Sequence, residues 1–291
     1  MSEKPKTLIQ LDTDKFASSF DAMVAIDSGI DHLLSYSAVE PADVTALCHG
    51  TIFTRGPRDL HRTAIFIGGN NIQLAEQLFD AVQDSFFGPL QVSVMLDASG
   101  ANTTAAAAIL AIEKHHELKN MPIAVLGGTG SVGLRVCQLL SQVGAKPLMI
   151  SRSLDRAREL CDQINSASSE VTCQPMESKS ESATSKILMD CSGVIAAGAA
   201  GIQFVSSETL AACGKLEFAV DLNAVPPAGI EGIDAMDLAQ QRHGMNCFGA
   251  LAVGGLKMKI HKQSIRRLFE ANDQLLDLKA IFETARELDI A

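Results

Sequence analysis

Gly128, Gly130 and Gly133 stand between an apolar run at residues 123–126 and a stretch in which Val132, Val136, Leu139 and Leu140 recur at helical spacing. A strand that passes through glycine into a helix is the arrangement that cradles a dinucleotide pyrophosphate. Each glycine has a task in that reading: a tight turn at Gly128, backbone approach to phosphate at Gly130, and close packing of helix on strand at Gly133. Thr129, Ser131 and Val132 complete the loop. The helix N-terminus then offers free N–H groups and a partial positive charge.

The second strand, residues 146–150, delivers Ser151, Arg152 and Ser153 to the point where an NAD enzyme places an acid on the ribose 2′-hydroxyl. No acid stands there. Arg152 is suited to grip a 2′-phosphate bidentately, with Ser151 and Ser153 as hydroxyl donors, so NADP is the expected cofactor. The same residues also read as a helix start, with Ser153 as N-cap and Arg152 as a solvated strand end. Asp155, in the first turn, complements the helix dipole without contacting the cofactor.

Three further loops follow strands. Residues 196–201, which include Ala197 and Gly198, have no side chain large enough to keep a cofactor away from the backbone, and read equally as a helix N-terminus packed tightly on a neighbour. Residues 221–227 hold Asn223, a partner for a carboxamide, although Asn and Pro also simply make turns. Residues 254–261 begin with two glycines, and a helix starting near Leu256 puts Lys257 and His261 on one face at i and i+4. A Lys–His pair at that spacing is equally a solvated helix face.

These loops need a scaffold, and alternating strand and helix patterns supply it along the chain. Strands are expected at residues 8–11, 63–67, 90–96, 217–221 and 248–253, with one more at 187–191 or 193–197. Helices are expected at 18–26, 72–86 and, Ala-rich, at 102–115 as a stiff connector. The Ser- and Glu-rich residues 166–185 read as a mobile surface segment without chemistry. With 291 residues and 47% hydrophobic content the chain suits two α/β domains: residues 1–101 with a C-terminal helix at about 271–291, and a Rossmann-type parallel-sheet domain over 102–270, with a cleft between them. A net charge of −10 without a basic cluster argues against nucleic acid or an anionic membrane surface as partner. The polar start MSEKPKT and the lack of long apolar runs suggest a cytoplasmic protein. Seven scattered cysteines, without CxxC or a nearby His at ligand spacing, read as buried thiols and leave no metal site to expect.

The motifs QLDTD (10–14), SSFDAMVAID (18–27), GTIFTRG (50–56), TAIFIGG (63–69), FFGP (86–89), MLDASGANTTAAA (95–107), GGTGSVG (127–133), VDLNAVPPAGIEGIDA (220–235) and FGALAVGGLKMKIH (248–261) together resemble the bacterial NADP-dependent methylene-tetrahydromethanopterin dehydrogenases. The resemblance runs nearly end to end. It implies an oligomeric enzyme of one-carbon metabolism, in formaldehyde oxidation, with NADP in the cleft and a tetrahydromethanopterin-type carrier above it. By similarity, Phe20 and Asp21 line the pterin side and Lys257 and His261 hold the pterin and its phenyl arm. Asn102, Thr103 and Thr104 face the reaction centre from the hinge. The family's basic pair after the second strand is here Arg152-Ser153, which softens the expected NADP preference toward dual use with NAD.

The implied reaction moves a hydride from the carrier's one-carbon bridge to C4 of the nicotinamide and leaves a methenyl cation shared by two nitrogens. No proton leaves, so alignment and exclusion of water suffice, with Lys257 orienting. Asp97 or Asp21 is the carboxylate placed to steady the cation; Asp97 also reads as a mere strand end. Tetrahydrofolate presents the same pterin and bridge and is the alternative carrier. The Tyr–Lys pair, four apart, of folate-linked dehydrogenase/cyclohydrolases and short-chain dehydrogenases is missing, since Tyr36 is the one tyrosine and residue 40 is Glu. A shikimate-type dehydrogenase shares the two-domain plan, but its substrate-domain Lys–Asp signature is not seen. A non-catalytic NADP(H)-binding redox sensor is the reading from another class.

Overall fold

A computed structural model describes residues 3–167 and 172–288. In chain order the elements are β1 (Thr7–Asp12), α1 (Ser19–Asp27), β2 (His32–Tyr36), α2 (Pro41–Ile52), β3 (Thr63–Gly68), α3 (Ile72–Asp84), β4 (Ser93–Leu96) and α4 (Ala101–Glu113). There follow β5 (Pro122–Leu126), α5 (Ser131–Gln142), β6 (Lys146–Ser151), α6 (Leu154–Ala167), β7 (Gln174–Glu177), α7 (Glu181–Leu188), β8 (Gly193–Ala196) and α8 (Ser207–Ala212). The last are β9 (Phe218–Asp221), β10 (Leu238–Arg242), β11 (Met245–Phe248), α9 (Ala250–Arg267), β12 (Leu275–Leu276) and α10 (Leu278–Arg286). The α/β class expected from the alternating pattern is the class observed.

The chain divides into two compact units, Met1–Thr103 with Met258–Ala291, and Thr104–Lys257. The chain returns to the first unit at Met258, inside α9, rather than near residue 271, beyond the end of that helix.

The first unit holds a five-stranded sheet in the order β12-β4-β3-β1-β2, every pair parallel. The chain leaves β1 toward β2 on one side and returns to β3 on the other, which makes the β1/β3 carboxyl edge a topological switch point. The inner strands β1, β3 and β4 are buried almost throughout, as parallel strands covered on both sides must be, whereas the edge strand β2 is largely exposed. Ile9, Leu11, Ile65, Val94, Val44, Leu78 and Val82 join in one cluster under α2 and α3.

The second unit holds a seven-stranded sheet in the order β10-β11-β9-β8-β5-β6-β7, parallel except for the β10–β11 hairpin. Its switch point lies between β5 and β8, so the glycine loop after β5 opens at the edge where open α/β sheets bind ligands. Pro175 is tolerated in β7 because β7 is an edge strand. The Ala-rich α4 is buried along much of its length, from Ala105 through Ile109 and on to Ile112.

Several expectations need correction. Residues 249–253 are not strand: β11 ends at Phe248 and α9 begins at Ala250. The cause is Gly249, where a Cβ would lie 2.0 Å from the Asp234 carbonyl oxygen; the chain turns there, and the Ala235 carbonyl accepts from the N–H groups of Leu251 and Ala252. A short apolar run does not tell strand from helix by periodicity. Residues 187–188 end α7, and the strand is β8. The segment 166–185 carries β7 and most of α7, with residues 168–171 outside the described part; Ser180 caps α7 through the Ala183 N–H. The edge strand β2, helix α2 and the β10–β11 hairpin were not anticipated. All seven cysteines are buried and free, as expected of reduced thiols.

Candidate active site

Gly127, one residue before the expected triplet, makes the turn out of β5. Its φ of +70° is left-handed, and a Cβ there would fall 2.4 Å from the Cα of Gly198. Only glycine meets both demands. Gly128, expected at the turn, instead packs against β6, where a Cβ would meet Met149 Cγ at 2.7 Å. Gly133 brings α5 onto the loop, since its Cβ would lie 2.4 Å from the Gly127 carbonyl oxygen. Gly130 is the N-cap of α5.

The ends of β5, β6 and β8 thus surround a cavity of about 580 Å³, a volume in the range of ordinary ligand sites. Thr129, Gly130, Ser131, Ser151, Arg152, Ser153, Ala197 and Gly198 line it, and Gly128, Val132, Gly133 and Asn223 do not. Gly128 and Gly133 act behind the wall, as packing. Asn223 is committed to its own loop: its amide donates to the Pro227 carbonyl and accepts from the Val225 N–H. That loop is anchored on buried Asp221, which accepts from the Asn223 and Ile230 N–H groups. Burial pushes the Asp221 carboxyl above the usual carboxylate range, against the pull of the neighbouring backbone N–H groups.

Arg152 is exposed on this cavity and has no ion-pair or hydrogen-bond partner among the described residues. Ser153 does cap α6, with its hydroxyl accepting from the Arg156 N–H at 3.4 Å, so the capping and the lining roles coexist. Ser151 Oγ lies 3.3 Å from Thr129 Oγ1 and accepts from the Ser153 N–H, tying the two loops together. Asp155 faces Arg158 at 3.5 Å and lies outside the cavity wall. Reading the sequence missed Arg156, Ser178, Thr184 and Phe204, all of which line the cavity. Ser178 and Thr184 lie in the segment dismissed as chemically silent; their hydroxyls are 2.7 Å apart.

The first unit gathers a second set of residues at the carboxyl edge of its sheet. Asp97 ends β4 and is fully buried; its two oxygens accept from the Thr103 N–H at 3.1 Å and the Thr103 hydroxyl at 2.6 Å. The intervening turn takes Ser99 and Gly100 through left-handed φ of 55° and 60°. The Asn102 side-chain amide donates to the Leu96 carbonyl at 2.7 Å. Asn102 and Thr103, expected to face the reaction centre, are therefore buried and employed in shaping the Asp97 turn.

His261, fully buried on α9, sits with Nδ1 4.0 Å from Asp97 Oδ2 and its ring stacked on Phe66 at 5.6 Å between centroids. The i and i+4 relation to Lys257 holds on α9, where both are buried; Lys257 is the last residue of the second unit. Gly254 and Gly255 lie inside this helix, and a Cβ at either would meet open space. On α1, Phe20 is 53% exposed. Asp21 and Asp12 converge on Gly68: a Cβ there would be 3.4 Å from Asp21 Oδ2 and 3.6 Å from Asp12 Oδ2. Asp12, not singled out from the sequence, holds the loop after β1 by accepting from the Asp14 and Ser18 N–H groups.

Comparison with known proteins bears on what such sites serve. A family model described as methylene-tetrahydromethanopterin dehydrogenase, N-terminal, matches residues 19–99. The Bifunctional protein MdtA of Methylorubrum extorquens is 39% identical over 285 residues, 97% of this chain and 99% of the relative. The NAD(P)-dependent methylenetetrahydromethanopterin dehydrogenase of the same organism is 31% identical over 94% of this chain and 95% of its own. The chain belongs to the methylenetetrahydromethanopterin dehydrogenase family. In this methylenetetrahydromethanopterin dehydrogenase family member, the family-model match runs from α1 to the turn after β4, the stretch that contains Phe20, Asp21 and Asp97. Solved structures add the fold. Shikimate 5-dehydrogenase from Listeria monocytogenes matches with a TM-score of 0.56 and 13% identity, over 96% of each chain. Quinate dehydrogenase from Corynebacterium glutamicum matches at 0.53 and 16%, over 98% and 99%. No helix among the described residues is long and apolar enough to cross a membrane.

Proposed function

We propose that this chain transfers a hydride from the one-carbon bridge of methylenetetrahydromethanopterin to NADP, with NAD as a second acceptor. The observation that carries the reading is 31% identity, over 94% of this chain, with a relative named for that activity, joined to a loop that fits a dinucleotide. The fit rests on Gly127 and Gly198, which leave backbone where any side chain would stand, and on Arg152, a cation at the cavity without a partner among the described residues. NADP supplies the hydride acceptor, C4 of its nicotinamide.

The carrier loses a hydrogen nucleus with both bonding electrons and becomes a methenyl cation shared by its two flanking nitrogens. No proton departs, so none of the chain's residues acts as a base. Asp97, held by two bonds from Thr103, is a preset negative charge for the cation that develops, worth most where water is excluded. His261, braced on Phe66, and Lys257 one turn earlier orient the carrier. The exposed Phe20 ring offers the pterin a flat apolar surface. Asn102 and Thr103 act as positioning residues through the Asp97 turn. We take the two units to act as the carrier-binding and dinucleotide-binding domains, and the working protein to be a homo-oligomer of the cytoplasm.

Initial rates with methylenetetrahydromethanopterin and methylenetetrahydrofolate, each against NADP and NAD, test the reading through the near-ultraviolet absorbance of the methenyl product. Turnover is expected with the methanopterin carrier, faster with NADP. Turnover with the folate carrier alone would reassign the substrate. NADP binding without turnover of either carrier would leave a sensor in place of an enzyme.

A further inference from the structure

We propose that Gln10 and Asp12 are positioning residues for the carrier: they grip both backbone polar groups of Ser18 and thereby fix the first turn of α1, where Phe20 and Asp21 stand. The proposal rests on the reading that these two α1 residues meet the carrier. Gln10 and Asp12 are the first and middle residues of the QLDTD motif, and neither was singled out from the sequence.

Strand alternation separates the pair from the apolar cluster of their unit. Ile9 and Leu11 belong to the cluster under α2 and α3, so Gln10 and Asp12 lie on the opposite face of β1. There they are 1% and 0% exposed, and polar groups buried to that degree are costly unless they are bonded. The Gln10 side-chain amide donates to the Ser18 carbonyl at 3.2 Å, and its oxygen accepts from the Ser35 hydroxyl at 2.8 Å. Asp12 accepts from the Ser18 N–H and the Asp14 N–H, each at 2.9 Å. Two side chains of one strand thus take the carbonyl and the N–H of a single residue in the loop that follows.

Ser18 is the N-cap of α1: its hydroxyl accepts from the Asp21 N–H at 3.2 Å and its carbonyl from the Ala22 N–H at 3.1 Å. Whatever fixes Ser18 fixes the start of the helix. Packing adds little, because α1 is nine residues long and buries Val24 and Ala25, while Phe20, Met23 and Ile26 are more than half exposed. A helix that short is marginal by itself. The polar grip from β1 therefore sets where the Phe20 ring and the Asp21 carboxylate stand. The other polar residues of the motif serve the neighbouring loop: Asp14 accepts from the Asn70 N–H at 3.0 Å and its side-chain amide at 2.6 Å, and the Thr13 hydroxyl oxygen accepts from the Asn71 N–H at 3.4 Å. The motif so ties the loops after β1 and β3 together at the switch point.

The test uses the full chain and Asp12→Asn, which keeps the shape of the side chain but replaces one accepting oxygen with an amide that cannot accept from a backbone N–H. Asp12→Asn is expected to raise the KM of methylenetetrahydromethanopterin about tenfold and to leave the dissociation constant of NADPH unchanged. Gln10→Leu, which removes a bond to a neutral carbonyl, should raise that KM less. In a Phe20→Ala/Asp21→Ala background the effect of Asp12→Asn should vanish, since nothing is left to position. Hydrogen exchange supplies a readout that needs no turnover: the amides of residues 19–27 should exchange faster in Asp12→Asn, while those of β3 and α3 keep their protection. An unchanged carrier KM overturns the proposal, as does an equal rise in the Phe20→Ala/Asp21→Ala background, or exchange that quickens throughout the first unit or not at all. If the unsubstituted chain turns over neither carrier, the dehydrogenase reading fails instead, and exchange in α1 then decides by itself whether Asp12 holds the helix.

Discussion

Gly127 and Gly198 pack back to back, so that a methyl group on Gly127 would stand 2.4 Å from the Gly198 Cα and 2.8 Å from its nitrogen. This contact closes the wall on which the dinucleotide is proposed to lie. Gly127→Ala places a Cβ against backbone that cannot swing aside, at a left-handed φ that itself costs about 1–2 kcal/mol. Gly198→Ala meets the end of the Phe204 ring at 2.0 Å, a side chain that can move. We expect Gly127→Ala to lower NADP affinity by more than about tenfold, the equivalent of ~1.4 kcal/mol, and Gly198→Ala to lower it less. Fluorescence titration of NADPH ranks the two, and the reverse order would mean that the Gly127–Gly198 contact does not shape the site.

Arg152 lines the cavity and has no ion-pair or hydrogen-bond partner among the described residues. Charge-assisted hydrogen bonds contribute about 1.5–3 kcal/mol, so Arg152→Ala should weaken NADP by roughly one to two orders of magnitude. NAD should hardly respond. Dissociation constants for both cofactors decide it, and matching losses would make Arg152 a structural residue.

His261 is buried between Asp97 and Phe66, away from the glycine loop in sequence and in unit. His261→Ala should raise the KM of the methylene carrier by about tenfold while that of NADP moves little, the pattern of lost carrier binding. His261→Asn, which keeps a polar group, should lie between. Steady-state kinetics of both substrates separate this outcome from a loss of NADP affinity, which would place His261 in cofactor binding.

Hydride transfer without proton transfer has a pH signature. Between the limits at which the protein and the carrier are stable, the single-turnover rate should be nearly flat, because no residue has to change protonation. Deuterium in the methylene bridge should slow that step, and solvent deuterium should leave it almost unaltered. A limb in the profile that disappears in Lys257→Met, together with a large solvent isotope effect, would show Lys257 moving a proton.

The strand–glycine–helix pattern announced the loop that walls the cavity after β5 because a local turn needs few residues and each leaves its mark in the sequence. The same locality misled at Gly128, since which glycine takes the left-handed turn depends on Gly198, some 70 residues away in the chain. Arg156 was overlooked because Ser153 as helix cap and Ser153 as ligand looked like alternatives, whereas the folded cap does both. Residues 172–185 seemed empty by composition. They form an edge strand and a helix whose Ser178 and Thr184 face the cavity.

By itself the sequence determined the α/β class, the glycine loop between β5 and α5, the lack of an acid after β6, and the motifs that tie the chain to its family. Each of these is written in neighbouring residues, where propensity, spacing and charge act without help. Tertiary structure alone decided that α9 starts at Ala250, because the Ala235 carbonyl captures its first N–H groups. It also joined Asp97, Phe66 and His261, which lie on three different elements, and set Asn223 to holding its own turn. Such outcomes depend on which strands become neighbours in a sheet, and strand order is set by burial summed over the whole unit rather than by any segment of it.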